Sequence, residues 1–116
     1  MVERRRSVRV ACELATSYRD MNPQKPVQIE NAIVKNISRG GVRLLVNDFI
    51  PTTARLHIYL HLSRYQTIEV RVQPTWVTEI PHLNRYEVGA SFVELSENNE
   101  SAVETYQQHA VMEKLR

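Results

Sequence analysis

The sequence has only one cysteine, Cys12, among its 116 residues. A single cysteine excludes an internal disulfide and a cysteine-based zinc site, and it fits a reducing compartment. The apolar runs are short and broken by charges, whereas a membrane-spanning helix needs roughly 18–20 apolar residues. The basic start of the chain also has no apolar segment behind it, as an export signal would have. We therefore expect a cytoplasmic protein with no membrane span, in which Cys12 is buried in the core.

Motifs of catalysis are also lacking. The sequence contains no Gly-x-Ser-x-Gly elbow, no P-loop and no dinucleotide-binding glycine fingerprint. His57 and His61 have the spacing of two zinc ligands on a helix, but the alternation around them is typical of a strand. On a strand, residues four apart are separated by roughly 13 Å, too far to bind one metal ion. The sequence therefore predicts neither an enzyme nor a cofactor or metal site.

Length and charge indicate a single domain with an anionic partner. A chain of 116 residues with 42% apolar residues forms one core and leaves no room for a second catalytic domain. The net charge is only +2, yet residues 1–43 contain nine lysines and arginines against four acids. Of the 15 cationic residues, 12 are arginines, whose planar fork pairs with phosphates and base edges. We expect a compact anionic ligand.

Alternation of apolar and polar residues predicts six β-strands. They are residues 8–18, 27–37, 42–46, 55–62, 66–78 and 86–95. Short connections without intervening helices favour an antiparallel β-barrel or sandwich. Pro74 falls inside the fifth strand and must lie at an edge, a bulge or a break, because proline donates no ladder hydrogen bond. Trp76 and Phe92 belong to the apolar faces of their strands, so we expect both in the core.

Residues 97–116 are rich in strong helix formers and predict a C-terminal α-helix. Asn98 or Asn99 is the expected N-cap, and acidic residues follow in the first turn. The predicted apolar stripe consists of Ala102, Val103, Tyr106 and Ala110. We expect this helix to pack on the barrel, and a homodimer contact is the alternative.

Two short polar clusters contain the candidate binding residues. The first is Arg-x-x-x-Arg, formed by Arg5 and Arg9, in a leader that also contains Arg4 and Arg6. The second is residues 36–41, Asn-Ile-Ser-Arg-Gly-Gly, at the end of the second predicted strand. Taken singly, the first cluster is typical of a solvated basic segment, and the second is typical of a capped turn in which glycine supplies a positive φ. Neither cluster alone specifies a ligand.

Together and in this order, the two clusters resemble the PilZ domain family of bacterial cyclic di-GMP receptors. The matching pattern is Arg-x-x-x-Arg followed by Asn-x-Ser-x-x-Gly. A Trp-bearing strand at residues 72–76, followed by a Gly-x-x-Phe strand at residues 86–92, is also similar, so the resemblance covers nearly the whole chain. It implies a six-stranded antiparallel β-barrel at residues 8–95, a flexible basic leader at residues 1–9 and a C-terminal helix at residues 97–116.

The resemblance further implies that the barrel binds cyclic di-GMP on its outer surface. Arg5 and Arg9 are the main expected contacts, because a guanidinium pairs with a phosphate or with the O6 and N7 atoms of guanine. The other expected ligand-binding residues are Asn36, Ser38, Gly41, Arg4, Arg6, Arg39 and Gly40. Gly41 is expected to keep side-chain bulk away from the purine. Arg4, directly before the motif, favours a stacked pair of ligands over a single one.

These residues suggest a ligand-gated adaptor. The arginine leader should repel itself without ligand and should fold onto the barrel when two phosphates neutralise it. With no output domain in the sequence, the effector would be a separate, unidentified protein; family members of this kind are linked to motility, pilus assembly, exopolysaccharide or biofilm production, and virulence. One alternative is a single-stranded nucleic-acid-binding β-barrel with Tyr59 and Tyr65 as stacking residues. Another is a PilZ-like protein-interaction module that no longer binds nucleotide.

Overall fold

Six antiparallel strands and one helix make up the computed structural model, which describes residues 9–114. They are β1 (Val10–Asp20), β2 (Glu30–Ile37), β3 (Gly41–Val46), β4 (Leu56–Ser63), β5 (Gln66–Ile80), β6 (Arg85–Val93) and α1 (Glu97–Lys114). The strands close into a barrel in the order β1-β2-β3-β6-β5-β4, with β4 paired to β1. The predicted barrel and C-terminal helix are confirmed, with strand bounds that shift by at most three residues. Of the predicted leader, residues 1–8 lie outside the described residues.

Aliphatic side chains fill the barrel interior because every strand alternates inward and outward positions. The completely buried members of this core are Val34, Ile37, Val42, Leu44, Ile58, Leu60, Val88 and Val103. Val103 belongs to α1, which packs against β1 and β4 through the predicted apolar stripe. Burying these side chains stabilises the fold by roughly 1.5–3 kcal/mol each before conformational entropy is counted.

A bulge in β5 overturns the predicted position of Trp76. Pro74 pairs with Ala90 and Trp76 pairs with Gly89, so two steps along β5 correspond to one step along β6. The extra residue reverses the alternation after Pro74 and turns Trp76 to the outer surface, where it is 41% exposed. The prediction that Trp76 lies in the core is therefore wrong, whereas Phe92 does pack against the core.

Two smaller predictions also change. Cys12 is half-buried rather than buried, and its Sγ donates to the Val34 carbonyl at 3.5 Å, because the β1 register shifts between Ala11 and Leu14. The N-cap of α1 is Ser96, so the prediction of Asn98 or Asn99 at this position is wrong. Ser96 Oγ accepts a hydrogen bond from the Asn99 amide at 3.1 Å, which satisfies one of the free N–H groups of the first helical turn.

Candidate ligand-binding surface

Strand register places part of both predicted motifs on the outer surface at one end of the barrel. Asn36 of β2 pairs with Ala11 of β1 on one side and with Arg43 of β3 on the other. Arg43 pairs with Gly89 of β6, which in turn pairs with Trp76 of β5. These five residues form a row across five neighbouring strands, which we call the Asn36 row. The inward neighbours of the row are core residues, so the row itself faces outward.

Arg9 and Asn36 join the two motifs directly. The Nη1 atom of Arg9 donates to the Oδ1 atom of Asn36 at 2.9 Å, although the two residues are 27 positions apart in the chain. The Arg9 side chain is exposed and the Asn36 side chain is half-buried. A guanidinium and an amide are therefore held together on an open surface, where both can reach an anionic ligand. The other motif arginine, Arg5, and the leader residues Arg4 and Arg6 lie outside the described residues.

Ser38 shapes the turn between β2 and β3. Its Oγ atom accepts hydrogen bonds from the backbone amides of Gly40 and Gly41, both at 3.2 Å, and its own amide donates to the Gly41 carbonyl at 2.9 Å. The residue is only 1% exposed. Serine commonly closes a turn in this way. Ser38 thus supports the motif from inside the turn.

Gly41 is needed for the close approach of β3 and β6. A Cβ atom at this position would lie 2.0 Å from the Ala90 carbonyl oxygen, which is backbone and has no room to move. Strand packing is therefore a reason for glycine at this position, in addition to the expected room for a purine. The described glycines have no positive φ, so the predicted left-handed glycine is wrong, whereas Ser38 does cap the turn. Gly40 is exposed, and its carbonyl accepts from the Phe92 amide at 2.9 Å.

Arg39 connects the turn to the helix. Its Nη2 atom lies 2.9 Å from Glu100 Oε2, and its Nε atom lies 3.7 Å from Glu104 Oε1. The bond to Glu100 and the charges of both glutamates raise the pKa of Arg39. Gln107 adds a second connection, since its Nε2 atom donates to the Ile37 carbonyl at 3.0 Å. Arg39 is thus engaged with α1 in this structure.

Arg43 and Trp76 belong to the row, but the sequence reasoning did not identify them as site residues. The Nε atom of Arg43 is buried, makes no hydrogen bond to the described part of the chain and lies 3.5 Å from Glu87 Oε2. The Trp76 indole covers Gly89, where a Cβ atom would lie 2.1 Å from the Trp76 Nε1 atom. Pro74, two residues before Trp76, was the available signal, because a bulge at this proline reverses the alternation.

The remaining candidates lie elsewhere. Tyr65 is 89% exposed in the turn between β4 and β5, Tyr59 is half-buried on β4, and neither belongs to the Asn36 row. His57 Nε2 lies 2.9 Å from Glu69 Oε1, and His61 Nδ1 lies 2.9 Å from Thr67 Oγ1.

Between residues 9 and 114, no three His, Cys, Asp or Glu side chains gather as a metal site would require. In the same part of the chain, no helix has the length and apolar character needed to cross a bilayer.

Comparisons with known proteins agree with this architecture. The sequence profile of the PilZ domain matches residues 3–108, and the chain therefore belongs to the PilZ domain family. Comparison with curated protein sequences gives no match.

Similar folds occur in several solved structures. The PilZ domain of YcgR from Escherichia coli, solved with c-di-GMP, has a TM-score of 0.74 at 14% identity and covers 96% of this chain and 94% of that chain. The complex of K. pneumonia MrkH with c-di-GMP has a TM-score of 0.76 at 21% identity, and the match covers 96% of this chain and 54% of that chain. The Bacillus subtilis inhibitor of motility MotI/DgrA has a TM-score of 0.71 at 16% identity and covers 94% and 50%. This chain thus spans about half the length of MrkH and of MotI/DgrA.

Proposed function

We propose that this protein is a cyclic di-GMP receptor that binds its ligand on the Asn36 row. The observation that carries the proposal is the 2.9 Å hydrogen bond between Arg9 and Asn36, which joins the two signature motifs of the family on one open surface. Membership of the PilZ family and the c-di-GMP complexes of YcgR and MrkH support the choice of ligand.

The proposed contact residues on and beside the row suit the chemistry of the ligand. Cyclic di-GMP presents two phosphates and two guanines, and a guanidinium can pair with either group through two parallel hydrogen bonds. Arg9 and the leader residue Arg5 are the proposed main contacts. Asn36 can donate to and accept from a base edge through its amide. Ser38 and Gly41 act mainly by fixing the turn that positions Asn36 beside β3.

Two further residues extend the proposed site. The buried Nε atom of Arg43 has an unused donor close to Glu87, and an anionic ligand would supply an acceptor. The exposed Trp76 indole provides a flat surface on which a guanine can stack. Both lie on the same row as Asn36, so one ligand can reach all three side chains.

Ligand binding is proposed to fold the arginine leader onto the barrel. Arg4, Arg5, Arg6 and Arg9 place four positive charges within six residues. The phosphates of the ligand would offset this repulsion, and closure would change both the shape and the charge of the surface. A partner protein in trans would detect that change. Arg4 would favour two stacked ligands per chain.

Isothermal titration calorimetry with cyclic di-GMP tests the proposal, with GTP and linear pGpG as controls. Selective, saturable heat supports a receptor, and the stoichiometry distinguishes one ligand from a stacked pair. Absence of heat with folded, ligand-free protein contradicts the proposal. Affinity for an oligonucleotide that falls steeply with salt would instead favour a single-stranded nucleic-acid-binding barrel.

A further inference from the structure

A cavity lies at the opposite end of the barrel from the Asn36 row. Tyr18 lines it and is seven residues beyond Ala11 on β1, which corresponds to roughly 23 Å along a strand. The cavity has a volume of about 190 Å³, and we call it the Tyr18 cavity. Pockets for nucleotides and similar small molecules usually measure about 300–1,000 Å³. The Tyr18 cavity is therefore the size of one long side chain.

Carboxylates dominate the polar lining of the cavity. Asp20 is already occupied, because its Oδ2 atom lies 3.2 Å from Lys25 Nζ and its Oδ1 atom accepts from the Asn22 amide. Glu30 and Asp48 form no ion pair or side-chain hydrogen bond with the described residues. Lys25 is the only lysine or arginine that lines the cavity within the described chain. The lining is therefore net negative, with two unpaired carboxylates.

The Tyr18 hydroxyl provides an independent indication of a ligand. Tyr18 is only 5% exposed, lines the cavity and makes no hydrogen bond to the described residues. Burial, followed by the charges of Asp48, Glu30 and Asp20, raises its pKa to about 12, so the hydroxyl stays protonated. The hydroxyl oxygen itself is open to the cavity, because Arg43 Nε is the only fully buried side-chain N or O atom without a hydrogen bond among the described residues. A bound polar group would satisfy this hydroxyl.

Apolar walls complete the cavity around these polar groups. They are formed by Pro26, Phe49, Ile50, Pro51 and Leu56. Phe49 is 62% exposed and packs edge-on against Tyr86, with ring centroids 5.7 Å apart. Such walls suit the methylene stem of a lysine or arginine, and an aromatic face attracts its cationic end.

From these observations we infer that the Tyr18 cavity binds one lysine or arginine side chain of a partner protein. The apolar stem contacts the prolines and Phe49. The cationic end pairs with Glu30 and Asp48 and donates to the Tyr18 hydroxyl oxygen. This interaction surface is separate from the proposed nucleotide site, so both can be occupied at once.

The test is an NMR titration of the ¹⁵N-labelled full chain with short capped peptides. The probes are Ac-Ala-Arg-Ala-amide and Ac-Ala-Lys-Ala-amide, and the neutral control is Ac-Ala-Gln-Ala-amide. We expect saturable shifts of the Tyr18, Glu30 and Phe49 amides with the basic peptides and none with the glutamine peptide. Shifts that do not saturate, or equal shifts with the neutral peptide, would overturn the inference.

Two variants separate specific binding from bulk charge. Asp48→Asn should weaken binding of the basic peptides by about fivefold or more, because it removes one unpaired carboxylate. Glu13→Gln removes the same charge at the other end of the barrel, where Glu13 pairs with Lys35, and should leave the affinity unchanged. Equal weakening by both variants would contradict the proposal. Glu30→Gln repeats the test if the Asp48 variant does not fold.

Discussion

Arg9 belongs to the proposed site through its side chain, which contacts Asn36 directly. Its guanidinium is exposed and bonds to Asn36, so the side chain can turn to a phosphate without disturbing the core. Ser38 and Gly41, in contrast, act on the backbone of the turn. The signature motifs therefore combine a residue proposed to contact the ligand with residues that support the turn. Substitutions should distinguish the two roles by their effects on ligand affinity and on stability.

Arg9→Ala should weaken cyclic di-GMP binding by roughly 10- to 150-fold, the loss expected for a charge-assisted hydrogen bond. The free energy of unfolding should change little because the side chain is exposed. Calorimetry and urea unfolding measure the two quantities. Arg85→Ala, which removes an exposed arginine away from the row, is the matched control. Wild-type affinity in the Arg9 variant would exclude this residue from the site.

Gly41→Ala should lower the free energy of unfolding by roughly 1–3 kcal/mol, because the new Cβ overlaps the Ala90 carbonyl of the neighbouring strand. Ligand binding should decline with it, since β3 and the turn must shift. Urea unfolding checks the prediction. Gly40→Ala is the control, because Gly40 is exposed and has no positive φ. A Gly41 variant as stable as wild type would show that the two strands separate easily.

Trp76 is the only tryptophan, so its fluorescence reports directly on the row. We expect cyclic di-GMP to change this emission, and Trp76→Ala to lower affinity by roughly 5- to 150-fold, the usual range for a stacked base. Tyr65→Ala, which removes an exposed aromatic ring outside the row, should bind normally. Unchanged emission at saturating ligand would place the guanine elsewhere.

Among the elements, α1 contacts the barrel both through polar side chains near the second motif and through its buried apolar stripe. Arg39 reaches Glu100 and Glu104 from the turn, and Gln107 reaches the end of β2. These ion pairs are exposed to solvent, which screens them, so each contributes little to stability. The buried Val103 contributes more. The helix therefore holds the second motif against the barrel mainly through its apolar stripe.

Ser96→Ala should lower the free energy of unfolding by about 1 kcal/mol, because it removes the side-chain acceptor for the Asn99 amide. Asn98→Ala should have a smaller effect, since the Asn98 side chain makes no hydrogen bond to the described residues and lies inside the helix. Thermal or urea unfolding of the two variants compares the positions. A larger decrease in the free energy of unfolding for the Asn98 variant than for the Ser96 variant would indicate that Asn98 is the N-cap.

Bulges explain why elements were easier to predict than side-chain orientation. The alternation located all six strands, since each strand has enough inward aliphatic residues to define a face. It failed after Pro74, where one extra residue reversed the face and moved Trp76 outward. A single-residue shift changes every later side chain on a strand. The pairing partner decides whether such a shift occurs, and alternation within one strand contains no information about that partner.

For the molecule as a whole, two tyrosines should make the free energy of unfolding depend on pH in the alkaline range. Burial is the main cause that raises the pKa of Tyr18 and of Tyr106 to about 12. Because the unfolded value is near 10, this contribution to stability is fully present below about pH 10 and is lost as the pH rises through 12. For Tyr18 the loss should reach roughly 2–3 kcal/mol.

Urea unfolding between about pH 9 and 12 measures this dependence. Tyr18→Phe should be less sensitive to pH than wild type across this interval. Tyr65→Phe, in which the altered ring is 89% exposed, serves as the control. Equal pH sensitivity of the Tyr18 variant and wild type would contradict the assigned cause.

The barrel also separates two surfaces of different charge. The proposed nucleotide site uses arginines at one end, and the Tyr18 cavity has unpaired carboxylates at the other. The small net charge of +2 conceals this division. Opposite ends with opposite charge allow an anionic ligand and a basic protein partner to bind without competing for the same residues.

The strands, the C-terminal helix and the two motifs could be predicted from the sequence, because alternation, composition and local spacing involve residues that are close together in the chain. The contact between Arg9 and Asn36, the presence of Trp76 and Arg43 in the same row, and the backbone role of Ser38 and Gly41 became visible only in the folded barrel. These outcomes depend on register between strands distant in sequence. Register follows from barrel closure and bulges, which involve all strands together.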